Sequence, residues 1–267
     1  DSRFYTNTVR SSTVFAPDGR GGAFYVKDGT LDVRNAIFAG NKGSYKRYSG
    51  VASGGGAGYL SGAVTAQFRN CLFRDNETWP DATYRGDGGA LWIGASAAST
   101  VTVASCTFYG NTGDWYGGAV YAAGGALQVV DTILWANSAG VSGSEIYAKN
   151  ADSVVGVAYS DLSETNAPHV VADAASLAWG DGILTADPLF ASADDLHLQS
   201  KNGRWDPVLA DWVKDAESSP CIDAGDPASS YANEPASNGK RINLGAYGNT
   251  AEASKSPFRA GSLLIIR

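Results

Sequence analysis

Four acidic residues are the candidates for acid–base chemistry, namely Asp75, Glu77, Asp87 and Asp114. Cleavage of a glycosidic bond uses two carboxyl groups roughly 5 to 10 Å apart. The four residues lie in neighbouring copies of a repeat, and stacked strands are about 4.8 Å apart, so such a pair is within reach. Because outward acids on an acidic chain are usually only solvated, we assign no catalytic residue among them.

Aromatic side chains are concentrated in the long loops 42–54, 77–87 and 112–116. Six of them, with one arginine, form the predicted ligand-binding set: Tyr45, Tyr48, Trp79, Tyr84, Arg85, Trp115 and Tyr116. The C–H faces of a sugar stack on aromatic rings while its hydroxyl groups form hydrogen bonds. This composition favours a glycan-binding surface. The alternative is that the rings pack over an aromatic stripe of the fold and simply bury it.

These loops belong to an internal repeat. Gly-Gly-Ala occurs at residues 21–23, 55–57, 88–90 and 117–119. A second element follows each copy: NAIFAGN at 35–41, NCLFRDN at 70–76, SCTFYGN at 105–111 and DTILWAN at 131–137. The copies are 26 to 35 residues apart, which is the period of a solenoid whose repeats bury their apolar faces against one another.

Aligned copies predict strands with one buried face, because apolar and polar residues alternate, as in Val101-Thr102-Val103. Large apolar residues form an interior ladder after the next bend: Phe38, Phe73, Phe108 and Leu134. An asparagine column follows, where this side chain tolerates a left-handed backbone and bonds the main chain: Asn41, Asn76, Asn111 and Asn137. An aromatic stripe follows Gly-Gly-Ala: Tyr25, Tyr59, Trp92, Tyr121 and Tyr147.

We therefore predict an all-β fold, a single-stranded right-handed parallel β-helix of the pectate-lyase-like kind with about six or seven rungs. Residues 1–199 form the rungs, and residues 200–267 form an irregular C-terminal capping region continuous with them. A cap is expected because open strand edges promote association. Within it, Asp226, Glu234 and Arg241 are predicted to cross-link loops by salt bridges.

The cysteines and histidines indicate structural roles. Cys71 and Cys106 share one column, and we predict a buried pair of thiols because parallel neighbours in register point the same way. His197 alternates with two leucines and is interpreted as a surface strand residue. No metal ligand is assigned and no cofactor is expected. Ca²⁺ remains a weak alternative, since no column places aspartates on successive repeats.

The charge balance argues against nucleic acid as a partner. Acidic residues number 27 against 20 basic ones, giving a formal net charge of −7, whereas duplex binding needs clustered Lys and Arg. No apolar run reaches the roughly 18 residues of a membrane helix, so we expect no membrane insertion by this segment. The chain begins at Asp1, and we expect it to be part of a larger polypeptide.

The repeat columns carry a family resemblance. Gly-Gly-Ala-x-Tyr followed by Phe-x-x-Asn resembles the repeat of polymorphic outer-membrane proteins and related secreted β-helix proteins. The C-terminal part resembles the choice-of-anchor Q type of bacterial surface domain, through residues 187–190, 196–198, 219–226 and 241–248. The insertion 201–218 departs from that pattern. The resemblance implies a secreted or cell-surface bacterial protein and no particular reaction.

Three functions follow as hypotheses. The first is a non-catalytic surface module that serves adhesion or contacts a polysaccharide or cell-surface glycan through its aromatic loops. The second is a carbohydrate-active enzyme, a polysaccharide lyase or glycoside hydrolase that uses the loop carboxylates. The third is a purely structural spacer of a larger surface protein. The fold alone does not choose among them.

Overall fold

The computed structural model describes residues 2–10, 20–44, 54–78, 86–166 and 169–257. In this part of the chain the regular secondary structure is entirely β, as the sequence predicts. Strands are numbered in chain order. They form three parallel sheets and one antiparallel hairpin, and the hairpin consists of β21 (Arg204–Asp206) and β22 (Asp211–Val213).

Each sheet collects equivalent strands of successive repeats. The first sheet contains β1 (Ser2–Tyr5), β4 (Ala36–Ala39), β7 (Leu72–Arg74), β11 (Thr107–Tyr109), β14 (Ile133–Trp135) and β18 (Asp161–Leu162). The second contains β2 (Thr8–Arg10), β5 (Lys42–Ser44), β8 (Glu77–Thr78), β12 (Thr112–Gly113) and β15 (Ser138–Ala139). The third contains β3 (Phe24–Arg34), β6 (Gly58–Arg69), β9 (Leu91–Ala95), β10 (Thr100–Ala104), β13 (Val120–Val130), β16 (Ile146–Ala148), β17 (Ser153–Ala158), β19 (Val170–Ala172) and β20 (Ser176–Trp179).

The chain visits the three sheets in a fixed order. From the third sheet it passes to the first and then the second, and it returns to the third beside its starting strand; after β18 of the first sheet the next described strand is β19 of the third. All pairings between these strands are parallel, and equivalent residues of adjacent repeats pair in register, as in Phe73 with Phe108 and Phe108 with Leu134. The arrangement is consistent with a solenoid of the β-helix type.

The predicted interior ladder is confirmed. Phe38, Phe73, Phe108 and Leu134 are all at most 1% exposed. The three phenylalanine rings stack, with centroids of Phe73 and Phe108 4.6 Å apart and nearly parallel planes. The alternation on the third sheet is confirmed too, since Val101 and Val103 are fully buried while Thr102 between them is not. Stacked apolar side chains therefore fill the space between the sheets.

The Gly-Gly-Ala motif has a steric cause. Gly55 has a φ of +79°, a left-handed conformation that side chains disfavour. A Cβ on Gly56 would lie 1.9 Å from the carbonyl oxygen of Gly89 in the next repeat. Ala57 is fully buried. The first glycine therefore makes the turn and the second allows the close approach of neighbouring backbones, while the alanine enters the core.

The asparagine column forms a hydrogen-bonded ladder. The Asn76 side-chain amide donates to the carboxamide oxygen of Asn111 at 2.9 Å and to the carbonyl oxygen of Phe38 at 2.9 Å. Asn41 and Asn111 repeat this pattern with their own neighbours. The expected left-handed backbone at these asparagines is wrong. The positive φ lies one residue earlier, at Asp75 and Ala136 for example. The asparagines therefore stabilise the turn through the hydrogen bonds of their side-chain amides.

The C-terminal segment takes a position that the composition does not reveal. Part of the expected cap, residues 219–254, lies along the outward face of the first sheet. The side chain of Asn70 donates to the Gly248 carbonyl at 2.7 Å, and the Ala246 amide donates to Thr107 Oγ1 at 2.9 Å. Cys221 packs with Ile133 in a small second core. This segment therefore covers the flank of the solenoid.

The expected salt bridges of this segment are also wrong. Glu234 accepts hydrogen bonds from the amides of Asn243 and Asn249, at 2.8 and 2.9 Å. Arg241 donates to the carbonyl oxygens of Ala224 and Gly225. The loops are cross-linked, but to main-chain groups. In irregular loops many backbone amides and carbonyls lack a partner in a sheet, so they take their hydrogen bonds from side chains such as Glu234 and Arg241.

The cysteines agree with the thiol interpretation. Cys71, Cys106 and Cys221 are free and fully buried. The Cys71 amide faces the Cys106 sulphur at 3.4 Å, so the two residues are direct neighbours in one column. Burial raises the pKa of the Cys106 and Cys221 thiols well above its ordinary value, which keeps them protonated.

Candidate functional site

Two of the acidic candidates flank a buried asparagine and point into different surroundings. Asp75 is exposed and its Oδ2 lies 3.6 Å from Nε of Arg74 on the first sheet. Glu77 is on the second sheet, where it forms an ion pair with Lys42 of the preceding repeat. Each carboxylate thus has a cationic partner on its own sheet.

The other two acidic candidates meet at one loop junction. Asp87 is fully buried, and its Oδ1 accepts the Tyr116 amide at 3.1 Å. Its charge adds to the burial that raises the pKa of Tyr121. Asp114 is half-buried, and its amide donates to Thr78 Oγ1 at 2.8 Å. Asp87 thus orders the backbone of the 112–116 loop.

Five of the seven predicted ligand-binding residues lie outside the described part of the chain: Tyr45, Tyr48, Trp79, Tyr84 and Arg85. The remaining two, Trp115 and Tyr116, are placed and are half-buried. The loop that carries them is fixed by backbone hydrogen bonds, since the Trp115 amide donates to Gly86 at 3.0 Å and its carbonyl accepts from Val141 at 2.8 Å. The rings are therefore presented by an ordered loop.

The two rings continue into the third sheet as one stack. The ring of Tyr116 lies between Trp115 at 5.2 Å and Tyr147 at 4.4 Å, measured between centroids. Nζ of Lys149 is 5.6 Å from the Tyr116 centroid. The Tyr147 hydroxyl donates to Asp173 at 3.3 Å. We call Trp115, Tyr116, Tyr147, Lys149 and Asp173 the aromatic flank.

The stripe beneath the aromatic flank is buried for most of its length. Its members on the four middle repeats are at most 8% exposed: Tyr59, Trp92, Tyr121 and Tyr147. Tyr59 and Trp92 stack at 4.1 Å, whereas Tyr25 at the end is 43% exposed. Tyr116 covers the Tyr147 end, as the burial alternative predicts. Trp115 stacks on Tyr116 and is half-buried, so part of its side chain is open to solvent.

The aromatic flank combines groups suited to one kind of ligand. Half-buried ring faces accept the C–H surface of a sugar. The Lys149 ammonium and the Asp173 carboxylate supply a hydrogen-bond donor and an acceptor beside these rings. Burial and the neighbouring Asp173 raise the pKa of Tyr147 to about 12, so its hydroxyl remains a neutral donor. A polyhydroxylated chain matches this set of groups.

Sequence reasoning missed the surroundings of His197. The expected surface position is wrong, because His197 is 2% exposed. Its Nδ1 lies 2.5 Å from Asp195 and its Nε2 3.4 Å from Glu252, while its ring stacks on Tyr247 at 3.6 Å. Burial favours the neutral acid, but His197 and Arg204 hold the pKa of Asp195 below its ordinary value. Leu196, His197 and Leu198 are all buried, so the alternation of residue types carries no signal for exposure here.

This histidine cluster fastens the inserted hairpin. Arg204 in β21 donates to Asp195 at 2.9 Å and to Asp215 at 3.2 Å.

In the described ranges no three His, Cys, Asp or Glu residues are grouped to hold a metal ion. The same ranges contain no helix with the length and apolar character needed to span a bilayer.

Comparison with known proteins gives two partial likenesses. Residues 105–123 match the family model of the Chlamydia polymorphic membrane protein repeat. Residues 172–225 match the family model described as disaggregatase related. The first range spans β11, β12 and the loop with Trp115 and Tyr116, and the second reaches from β19 to the Cys221 motif. No curated protein and no solved structure matched.

Proposed function

We propose that this chain is a non-catalytic, secreted or cell-surface module that contacts glycans through the aromatic flank. The observation that carries the proposal is the stack of Trp115 on Tyr116 on Tyr147, with Lys149 and Asp173 beside it. Stacking faces next to a few fixed polar groups are typical of saccharide sites. Contact of this kind serves adhesion and requires no cofactor.

The proposal includes the finer architecture. Residues 1–199 form a right-handed parallel β-helix of the pectate-lyase-like kind with about six or seven rungs, and residues 200–267 form an irregular capping region continuous with it. The C-terminal motifs fit the choice-of-anchor Q type of surface domain. A location at a bacterial surface is supported by the likeness of residues 105–123 to a repeat named for a membrane protein. The proposal also makes the chain part of a larger polypeptide.

The proposal is tested by binding and turnover measured on the same panel. The protein is applied to arrays of acidic and neutral polysaccharides, and the same polymers are assayed for new reducing ends. We expect binding without turnover. Turnover would overturn the proposal in favour of a lyase or glycoside hydrolase using Asp75, Glu77, Asp87 or Asp114. Neither binding nor turnover on any polymer of the panel would overturn it in favour of a structural spacer.

A matched pair of variants locates the contact. Trp115→Ala removes the outer ring of the stack and should weaken binding about tenfold or more, a loss of roughly 1.4 kcal/mol. Trp179→Ala removes a tryptophan that is 40% exposed on β20 and should leave binding unchanged. Equal effects of the two substitutions would show that the aromatic flank is not the contact surface.

A further inference from the structure

A second aromatic surface lies on the first sheet. Tyr109 ends β11 and Trp135 ends β14, and the two residues pair in register. Since Phe108 and Leu134 before them are buried in the core, alternation directs Tyr109 and Trp135 outward. Two large rings thus lie one strand spacing apart, about 4.8 Å, on the outer face. Both are half-buried.

The segment 187–199 forms a wall beside these rings. Phe190 stands edge-on to Tyr109, with centroids 5.6 Å apart and an interplanar angle of 90°. This wall is held together by hydrogen bonds. Phe190 and Leu198 form an antiparallel β-bridge, and the Gln199 side chain donates to the Phe190 carbonyl at 3.1 Å. Between this wall and Trp135 is a groove of about 330 Å³, within the range of roughly 300 to 1,000 Å³ of small-molecule sites.

The polar groups of the groove select a ligand class. Asp187 is exposed at its rim, with one carboxylate oxygen accepting the Leu189 amide at 2.9 Å. The Ser192 hydroxyl and the Gln199 amide also line it. No described residue that lines the groove is a lysine or an arginine. Arg74 donates to the carbonyl oxygen of Ala193 beside the groove, but it is paired with Asp75 and Asp194. The Asp187 carboxylate can therefore accept hydroxyl hydrogens, and its charge disfavours anionic sugars.

We propose that the groove of Tyr109, Trp135 and Phe190 binds a neutral hexose unit of a glycan chain. The sugar ring stacks on Trp135, and its hydroxyl groups donate to Asp187. This inference rests on the proposed glycan function and adds a second contact on a different sheet from the aromatic flank. A chain that reaches both surfaces would bind more tightly than either surface alone allows.

The experiment uses the complete chain and defined probes. Cellohexaose, mannohexaose and chitohexaose serve as neutral probes and hexagalacturonate as the anionic one, with affinities measured by titration calorimetry. At least one neutral probe should bind, and Trp135→Ala should weaken it about tenfold or more. Asp187→Asn keeps an acceptor oxygen for Leu189 and should weaken the same probe several-fold. Trp179→Ala is the control and should have no effect.

The outcomes separate this inference from the proposed function. Wild-type affinity of both Trp135→Ala and Asp187→Asn, with loss in Trp115→Ala, would overturn the groove while the aromatic flank stands. Preference for hexagalacturonate would overturn the neutral ligand class. Binding of none of the four probes, with glycans still captured on the arrays, would also overturn the groove. No binding on the arrays and no binding of the four probes would overturn both proposals. If Trp135→Ala does not fold, Asp187→Asn decides.

Discussion

The Glu145 carboxylate accepts the last hydrogen bond of the asparagine ladder, with its Oε2 2.5 Å from Nδ2 of Asn137. Its other oxygen accepts the Ser163 hydroxyl at 2.6 Å. Glu145 is fully buried, and this burial raises its pKa from 4.5 to about 7 despite both hydrogen bonds. The ladder therefore ends on a group that changes charge near neutral pH.

The first prediction concerns pH. Because the pKa of Glu145 is raised in the folded state, its contribution to stability is fully present below about pH 4.5 and is lost as pH rises through 7. Burial also raises the pKa of Glu234 to about 7 and of Asp161 to about 6, with the same sign. We expect a higher melting temperature at pH 5 than at pH 8.

The variant Glu145→Gln isolates one of these groups. Gln keeps one acceptor oxygen for Asn137, and its amide can donate to Ser163. We expect the variant to be more stable than wild type at pH 8, with a difference on the order of 3 kcal/mol that vanishes near pH 4.5. Urea unfolding across this range is the measurement. A wild-type pH profile in Glu145→Gln would contradict the prediction.

The second prediction concerns the interior ladder. Phe108→Ala leaves a cavity between Phe73 and Leu134 and should lower the free energy of unfolding by roughly 3 to 5 kcal/mol. Val154→Ala is the control, since Val154 is 46% exposed on β17 and should cost about 0.5 kcal/mol or less. Denaturant unfolding of both variants is the check. Similar costs for the two would place Phe108 outside the core.

The third prediction concerns the thiols. All three cysteines should react with a thiol reagent after denaturation without a reducing agent, because none is bridged. In the native protein they should react slowly, since all three are fully buried. Titration with a chromogenic disulfide measures the number of reactive thiols after denaturation and the rate of their reaction in the native protein. A single reactive thiol after denaturation would indicate a Cys71–Cys106 bridge and a different geometry of that column.

The fourth prediction separates covering from contact in the aromatic flank. Tyr116 packs on Tyr147 and its amide is held by Asp87, so Tyr116→Ala should destabilise the fold by roughly 1 to 3 kcal/mol. Trp115→Ala should cost less, because its ring stacks on Tyr116 at the edge of the layer. Melting curves of both variants test this order. The reverse order would make Trp115 the covering residue.

Contacts between equivalent positions of adjacent repeats are the part of the fold that the sequence predicts. Phe73 and Phe108 are 35 residues apart, and so are Asn76 and Asn111. One period therefore fixes the register, the ladders and the buried faces. The loop aromatics Trp115 and Tyr116 could be selected by composition. Their partner Lys149 lies two residues after Tyr147 of the stripe, at a position that belongs to no column of the repeat.

Contacts of the C-terminal segment do not follow the period. Asn70 binds Gly248, which is 178 residues away, and the wall beside Trp135 comes from the 187–199 segment. A signal was present in the outward positions of the first sheet, where Leu72 and Ile133 are apolar. A solvated face would carry polar residues there, so these leucine and isoleucine side chains imply a covering layer without identifying it.

The ladder has a consequence for how such a chain changes over evolution. Asn76 and Asn111 are 35 residues apart, whereas Asn111 and Asn137 are 26 apart, yet their hydrogen bonds measure 2.9 and 2.8 Å. Nine residues can thus be absent without moving the asparagine that follows, six of them before Gly-Gly-Ala and three after it. Insertions in outer loops cost little stability. Selection can therefore change the length and the residues of the outer loops, while the stacked interior is inherited unchanged.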